Sequence, residues 1–316
     1  MTERTWIGIG AADWLDPDNW NPAGAPASGD VLTVEDGWPV VGAGAIASES
    51  IFLRGTTTLE ITGATFAPGT DGPMRIAVRG GGPDDPAAVT LLAHGTNSFL
   101  GQISVEALGG GSLTIAVDTS GGGTGFTLAT GGFLLVTQES LLTIGGGPFV
   151  NDGLIHIEGR TVVAADATIS GTGRFEIDDG GHLVVEGGLG PDQTIVFADG
   201  TGDLTITAPD AFLATIALTA SGGDRIHFDD AVVQSAVVEA GILKLFAGKG
   251  RAGALVAEIP VELVNPAALD PLPSPEQTLK GRDFVFASDG DGGTLMTYAP
   301  KGPVELQGSL PVPVVA

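Results

Sequence analysis

The sequence predicts an all-β chain folded as a parallel β-solenoid, and three observations predict it. The clearest is the stretch 150–186, VNDGLIHIEGRTVVAADATISGTGRFEIDDGGHLVVEG, which alternates short apolar runs with turn-forming residues. Its runs are Leu154-Ile155-His156-Ile157, Thr161-Val162-Val163, Thr168-Ile169, Arg174-Phe175-Glu176-Ile177 and His182-Leu183-Val184-Val185. Between them stand Asn-Asp-Gly, Glu-Gly-Arg, Gly-Thr-Gly and Asp-Asp-Gly-Gly, whose Gly, Asn and Asp tolerate positive φ at little steric cost. Strands this short are stable only when successive coils stack and bury an apolar face on each other. The second observation is that no helix-period segment interrupts the strand pattern, which argues against an α/β enzyme. The third is a composition of 51 Gly with 43% hydrophobic residues, too apolar for a disordered chain despite its charge.

That charge excludes some partners. With 13 Lys plus Arg against 38 Asp plus Glu, the net charge is -25. Such a surface repels phosphate backbones and anionic membranes, so neither nucleic acid nor membrane insertion is expected. Cysteine is absent, which removes disulfides and thiolate metal sites. The opening Met1-Thr2-Glu3-Arg4-Thr5-Trp6 lacks the basic segment and apolar run of a Sec signal peptide, and no apolar run is long enough to span a bilayer. The expected location is extracellular, on a cell surface or a virion, reached without a Sec signal.

Residues 1–50 read as an N-terminal cap. They hold Trp6, Trp14 and Trp20, three of the four tryptophans, among the turn signals Asp16-Pro17-Asp18-Asn19, Pro22, Pro26 and Gly29-Asp30. A parallel stack needs its open end covered, and large rings do that. The alternative is a binding site in which the same three rings stack on sugar. Trp6, Trp14, Asp16, Asn19-Trp20, Pro26 and Gly29-Asp30 resemble the opening pattern of bacterial autotransporter-passenger-like surface β-helix proteins. The resemblance implies a right-handed parallel β-helix used for adhesion or as a scaffold. The pattern departs from those relatives in that the opening residues are not expected to act as a signal peptide and the last residues do not look like a translocating β-barrel.

Residues 51–264 read as the solenoid. Its early strands are Leu59-Glu60-Ile61, Met74 to Val78, Val89 to Leu92, Ile103-Ser104-Val105 and Leu113 to Val117, with long joins such as 79–86. From Phe126 the coils tighten and continue through Thr194 to Phe197, Leu204-Thr205-Ile206, Thr215 to Leu218 and Ile226-His227-Phe228. A coil of two or three strands then holds on the order of 20 to 28 residues, giving about eight to ten coils. Within them Ile157 and Ile177 are expected to point inward, while Thr161 is expected to tolerate Asp. The segment from Ala211-Phe212 to Phe228 resembles the ends of secreted bacterial repeat proteins.

Residues 265–316 read as a Pro-rich connector and a C-terminal β region. Pro266, Pro271, Pro273 and Pro275 cannot donate to a ladder, so the regular stack is expected to stop by Val264. Phe284-Val285-Phe286 and Thr294 to Tyr298 read as a hairpin. The apolar, uncharged tail SLPVPVVA reads as a packed strand or an attachment point to another chain.

Chemistry has few candidates. A polysaccharide-cleaving β-helix needs carboxylates, or a carboxylate with a basic group, on one face of successive coils. Glu158 and Arg160 on one coil and Arg174, Glu176, Asp178 and Asp179 on the next have that form. A shift of about 20 residues, the length expected of a coil, places His156 beside Glu176 and Glu158 beside Asp178. Asp178-Asp179, His182 and Arg225-Ile226-His227 resemble elements of pectin hydrolases, yet here the Asp pair and the His share one turn and the Asn-Thr-Asp element is missing. If the chain is an enzyme, Asp178, Asp179 and Arg174 are its catalytic candidates. His94, His156, His182 and His227 lack the spacing of metal ligands. Asp289 and Asp291 place oxygen donors at alternate positions as a calcium loop does, without its closing Glu. No cofactor motif is present.

The expected function is therefore a non-enzymatic structural or adhesive solenoid, displayed on a bacterial surface or a phage-like particle as a spike, fibre or decoration protein. Its expected partners are surface polysaccharide or a structural protein, with a homotrimer among the assemblies such a part forms. The alternative is a glycan-active β-helix enzyme, a lyase or glycoside hydrolase.

Overall fold

The computed structural model describes residues 2–46, 50–67, 74–80, 86–106, 111–120, 125–198, 201–219, 223–229, 231–248, 252–264, 284–288 and 292–299. They form three long sheets of fourteen, twelve and seven strands, here called the first, second and third sheet. A coil in the middle of the chain gives one strand to each. Leu154–Ile157 joins the first sheet, Arg160–Val163 the second and Thr168–Ser170 the third, before Arg174–Ile177 returns to the first. The chain is a parallel β-solenoid, and no α-helix occurs among the described residues.

The register follows from side-chain alternation. Leu154 pairs with Arg174, and Arg174 pairs with Thr194, so two successive coils advance by the same step. Val136, Ile157, Ile177 and Phe197 thus form one inward column, each fully buried. One residue back, His156 and Glu176 face outward on adjacent rungs. The looser coils are longer, stepping from Arg75 to Gln102 and then from Gln102 to Phe133. The second of these steps exceeds the expected coil size, and its strand on the second sheet, Ser112–Asp118, has 7 residues where Arg160–Val163 has 4.

Thr161 corrects an expectation. It lies inward between Leu142 and Leu183 and is fully buried, so Asp is not tolerable there. Alternation from Arg160, which is exposed, leaves Val162 as the outward residue of that strand and Val163 as the second inward one. The hydroxyl of Thr161 has no hydrogen-bond partner.

Many glycines are set by rung spacing. At Gly181 a Cβ would lie 2.0 Å from the carbonyl oxygen of Ile157 on the preceding coil, so any side chain would push the coils apart. Apolar rings fill the third sheet's inner side, where Phe66 and Phe99 are 5.7 Å apart and Phe126 and Phe149 5.4 Å.

Both ends of the first sheet close with antiparallel strands. At the start, Trp20–Asn21 pairs against Glu3–Trp6. At the finish, Ser235–Glu239 and Ile242–Phe246 form a hairpin whose second strand pairs antiparallel with Leu255–Val264, itself parallel to Thr215–Thr219. The second sheet ends on the hairpin of Phe284–Ser288 and Thr294–Tyr298, laid antiparallel on Arg225–Phe228. A full coil already stands at Val31–Glu35, Trp38–Val41 and Gly44–Ile46, so stacking begins inside the segment read as a cap. The third sheet begins with Gly44–Ile46 itself, and no strand among the described residues lies beyond it.

Candidate functional site

The outward columns carry the ionisable groups, and the parallel register brings them together. On the first sheet, His156 Nδ1 lies 3.2 Å from Glu176 Oε1. Its Nε2 faces Glu158 Oε1 at 3.5 Å and Asp178 Oδ2 at 3.9 Å. Arg174 closes the group as an ion pair, its Nη2 2.8 Å from Glu176 Oε2. The hydrogen bond to Glu176 holds the imidazole above its ordinary pKa, against the opposing effect of burial, with the carboxylates of Glu158 and Asp178 adding to the rise. Glu176 is held below the usual carboxylate range, first by the same hydrogen bond and then by Arg174.

The expected juxtaposition of His156 with Glu176 is therefore present. The catalytic trio named from the sequence is only partly assembled. Asp178 faces His156, but Arg174 is turned to Glu176. Asp179 sits in the turn with φ 47°, donating its N–H to Asp178 Oδ1 at 2.9 Å. Arg160 has crossed to the second sheet, where an open groove at the corner is lined by Glu139, Glu158, Arg160 and His182. Burial pushes the His182 imidazole down, and its Nε2 is 2.8 Å from Thr205 Oγ1 on the next rung.

Two further columns run along the second sheet. Trp38 Nε1 donates to Glu60 Oε2 at 2.9 Å, Glu60 Oε1 lies 3.5 Å from His94 Nε2, and His94 Nδ1 lies 3.0 Å from Asp118 Oδ2. Nearer the C-terminal end, Arg225 Nη2 reaches Asp203 Oδ2 at 2.6 Å, with His227 Nε2 3.6 Å from Asp203 Oδ1. Sequence reading missed the first of these columns, because its members stand on coils of unequal length and no constant spacing links them.

The tryptophans exchange roles. Trp6, Trp14 and Trp20 are buried against one another, with ring centroids 4.9 to 6.4 Å apart, and Trp20 Nε1 donates to the Trp14 carbonyl at 2.8 Å. The alternative reading, a platform for sugar, needs a ring face open to solvent, and all three rings are buried. Trp38, which the sequence did not single out, is 42% exposed. The calcium candidates Asp289 and Asp291 lie outside the described residues. Among the described residues no cluster of His, Asp and Glu has metal-holding geometry, and no helix is long and apolar enough to cross a membrane.

No protein-family model matches the chain, and no curated protein matches it either.

Proposed function

We propose that the chain is a non-enzymatic structural and adhesive β-solenoid, displayed on a bacterial surface or a phage-like particle and contacting surface glycans or a partner protein. The observation that carries this reading is the pairing of the outward charges. His156, Arg174, Arg225 and His94 each engage carboxylates on their own or adjoining rungs, an arrangement suited to holding coils in register. The resemblance of the opening segment to autotransporter-passenger-like surface proteins points the same way. Trp38 supplies the aromatic face such a surface would offer to sugar, with Glu60 fixing its ring edge.

The test is incubation with a panel of bacterial surface polysaccharides. The reading expects retention of at least one glycan without new reducing or unsaturated ends, and loss of that retention in Trp38→Ala while the strand circular dichroism stays intact. Turnover would replace it with the glycan-cleaving reading, and Asp178 would then be the first residue to change. Failure of every glycan to bind would confine the reading to an architectural part that contacts protein.

A further inference from the structure

The N-terminal end of the third sheet is a strand edge with no partner among the described residues. Gly44–Ile46 pairs with Ala64–Phe66 on one side only among the described residues. Ile46 offers its carbonyl to Ala67 on that side, so backbone alternation turns the N–H and C=O of Ala45 away from the sheet. Beside this edge runs a cleft lined by Trp14, Leu15, Pro26, Val41, Gly42 and Ile46, with no charged residue among its described walls. Leu15 is 63% exposed there on a chain of net charge -25. An exposed edge next to an uncharged apolar cleft is a site for strand addition.

Gly42 adds an independent observation. In the stack, glycines such as Gly125, Gly159 and Gly181 leave no room for a Cβ, which would meet a carbonyl oxygen at 2.0 to 2.3 Å. A Cβ on Gly42 would meet nothing within 4 Å, and its φ is not in the left-handed region. Neither its surroundings nor its own backbone requires glycine. The space beside it is open to something else.

We propose that the segment 309–316, SLPVPVVA, of one copy adds as an extended strand along Gly44–Ile46 of a second copy, joining the solenoids head to tail. The segment has no charged side chain, as the described walls of the cleft have none, and lies outside the described residues. Its prolines, Pro311 and Pro313, alternate. In an extended chain successive residues direct their backbone groups to opposite edges, so both prolines blank one edge while Leu310, Val312 and Val314 keep N–H groups for the other. Such a strand pairs once and stops.

Reach decides in favour of a second copy. Nine strand spacings separate Trp38–Val41 from Thr294–Tyr298 in the second sheet, about 43 Å at ~4.8 Å each. The chain from Tyr298 to Leu310 covers about 40–43 Å at its longest, and it must also cross from the second sheet to Gly44–Ile46 in the third. It therefore runs out before 310–314 can lie along its own cleft. A contact between unlike surfaces of identical chains grows into a filament or closes into a ring.

The inference rests on the architectural half of the proposed function and not on glycan binding. It is tested by sedimentation velocity on the full chain, the chain lacking 309–316, and the Gly42→Leu variant, which fills the cleft. The full chain should associate with rising concentration, and each variant alone should stay monomeric. An equimolar mixture of the two variants should form a one-to-one dimer and nothing larger, since one supplies only the cleft and the other only the tail. A monomeric full chain, variants that assemble as it does, or a mixture that stays monomeric would each overturn the proposal. Should Gly42→Leu lose its strand circular dichroism, excess synthetic peptide 307–316 must dissociate the full-chain assembly, and its failure to do so overturns the proposal equally. Glycan retention by the tail-less chain is read separately, so either reading can fall without the other.

Discussion

His156 and Glu176 stand at the same height on successive coils as Cα partners, with Nδ1 3.2 Å from Oε1. The pair ties two rungs through their side chains as well as through the ladder. Its contribution depends on pH in a direction that can be worked out. His156 is raised, so its stabilisation is complete below the unfolded value, about 6.5, and fades as pH rises through the higher folded one. Glu176 is lowered, so its stabilisation is complete above the unfolded value, about 4.3, and fades as pH falls through the lower folded one. The melting-temperature difference between the protein and Glu176→Gln should therefore be largest between those two values and shrink on both sides. A difference that stays flat from pH 4 to 9 would remove the pair as a stabilising element.

The inward columns should be intolerant of charge. Ile157→Asp and Ile177→Asp each bury an unpaired carboxylate and should cost more than about 3 kcal/mol. Thr161→Asp should be equally damaging. Thr161→Val should instead stabilise by about 1 kcal/mol, because it deletes a buried hydroxyl that has no partner. Denaturant midpoints check all four, and a destabilised Thr161→Val would mean that the hydroxyl is satisfied.

Rung spacing predicts a glycine effect without any change of polarity. Gly181→Ala drives a methyl into the Ile157 carbonyl and should cost about 1–3 kcal/mol. Gly42→Ala, with open space around it, should change the midpoint of the tail-less chain by less than about 0.5 kcal/mol. Equal costs at the two sites would show that the coils are more compliant than their packing suggests.

The N-terminal rings should separate by burial. Trp20→Phe loses the hydrogen bond to the Trp14 carbonyl inside the cluster and should cost about 1–3 kcal/mol. Trp38→Phe, at the surface, should stay within about 0.5 kcal/mol. Thermal melts decide this, and the reverse order would move the structural role to Trp38.

The tight coils from Phe133 to Phe197 were legible because their step is nearly constant, which is why shifting the chain by one coil found His156 beside Glu176. Thr161 was misread because Arg160-Thr-Val-Val offers apolar residues at both parities, and a buried Thr has the shape of Val. The column from Trp38 to Asp118 was hidden by unequal coils, since no single spacing lines up Glu60, His94 and Asp118. The fate of the three clustered tryptophans could not be read from type alone: indoles serve equally as plugs and as platforms, and only their mutual packing tells which.

The constant step also makes length a countable property. Removing residues 154–173 would join Gly153 to Arg174, which already occupies the position of Leu154 one rung on. The side chains that met across the deleted coil, such as Val136 and Ile177, belong to one column and would meet each other instead. Such a molecule can be shortened or extended by whole coils, about 4.8 Å at a time, which makes it a ruler whose graduations are written into the chain itself.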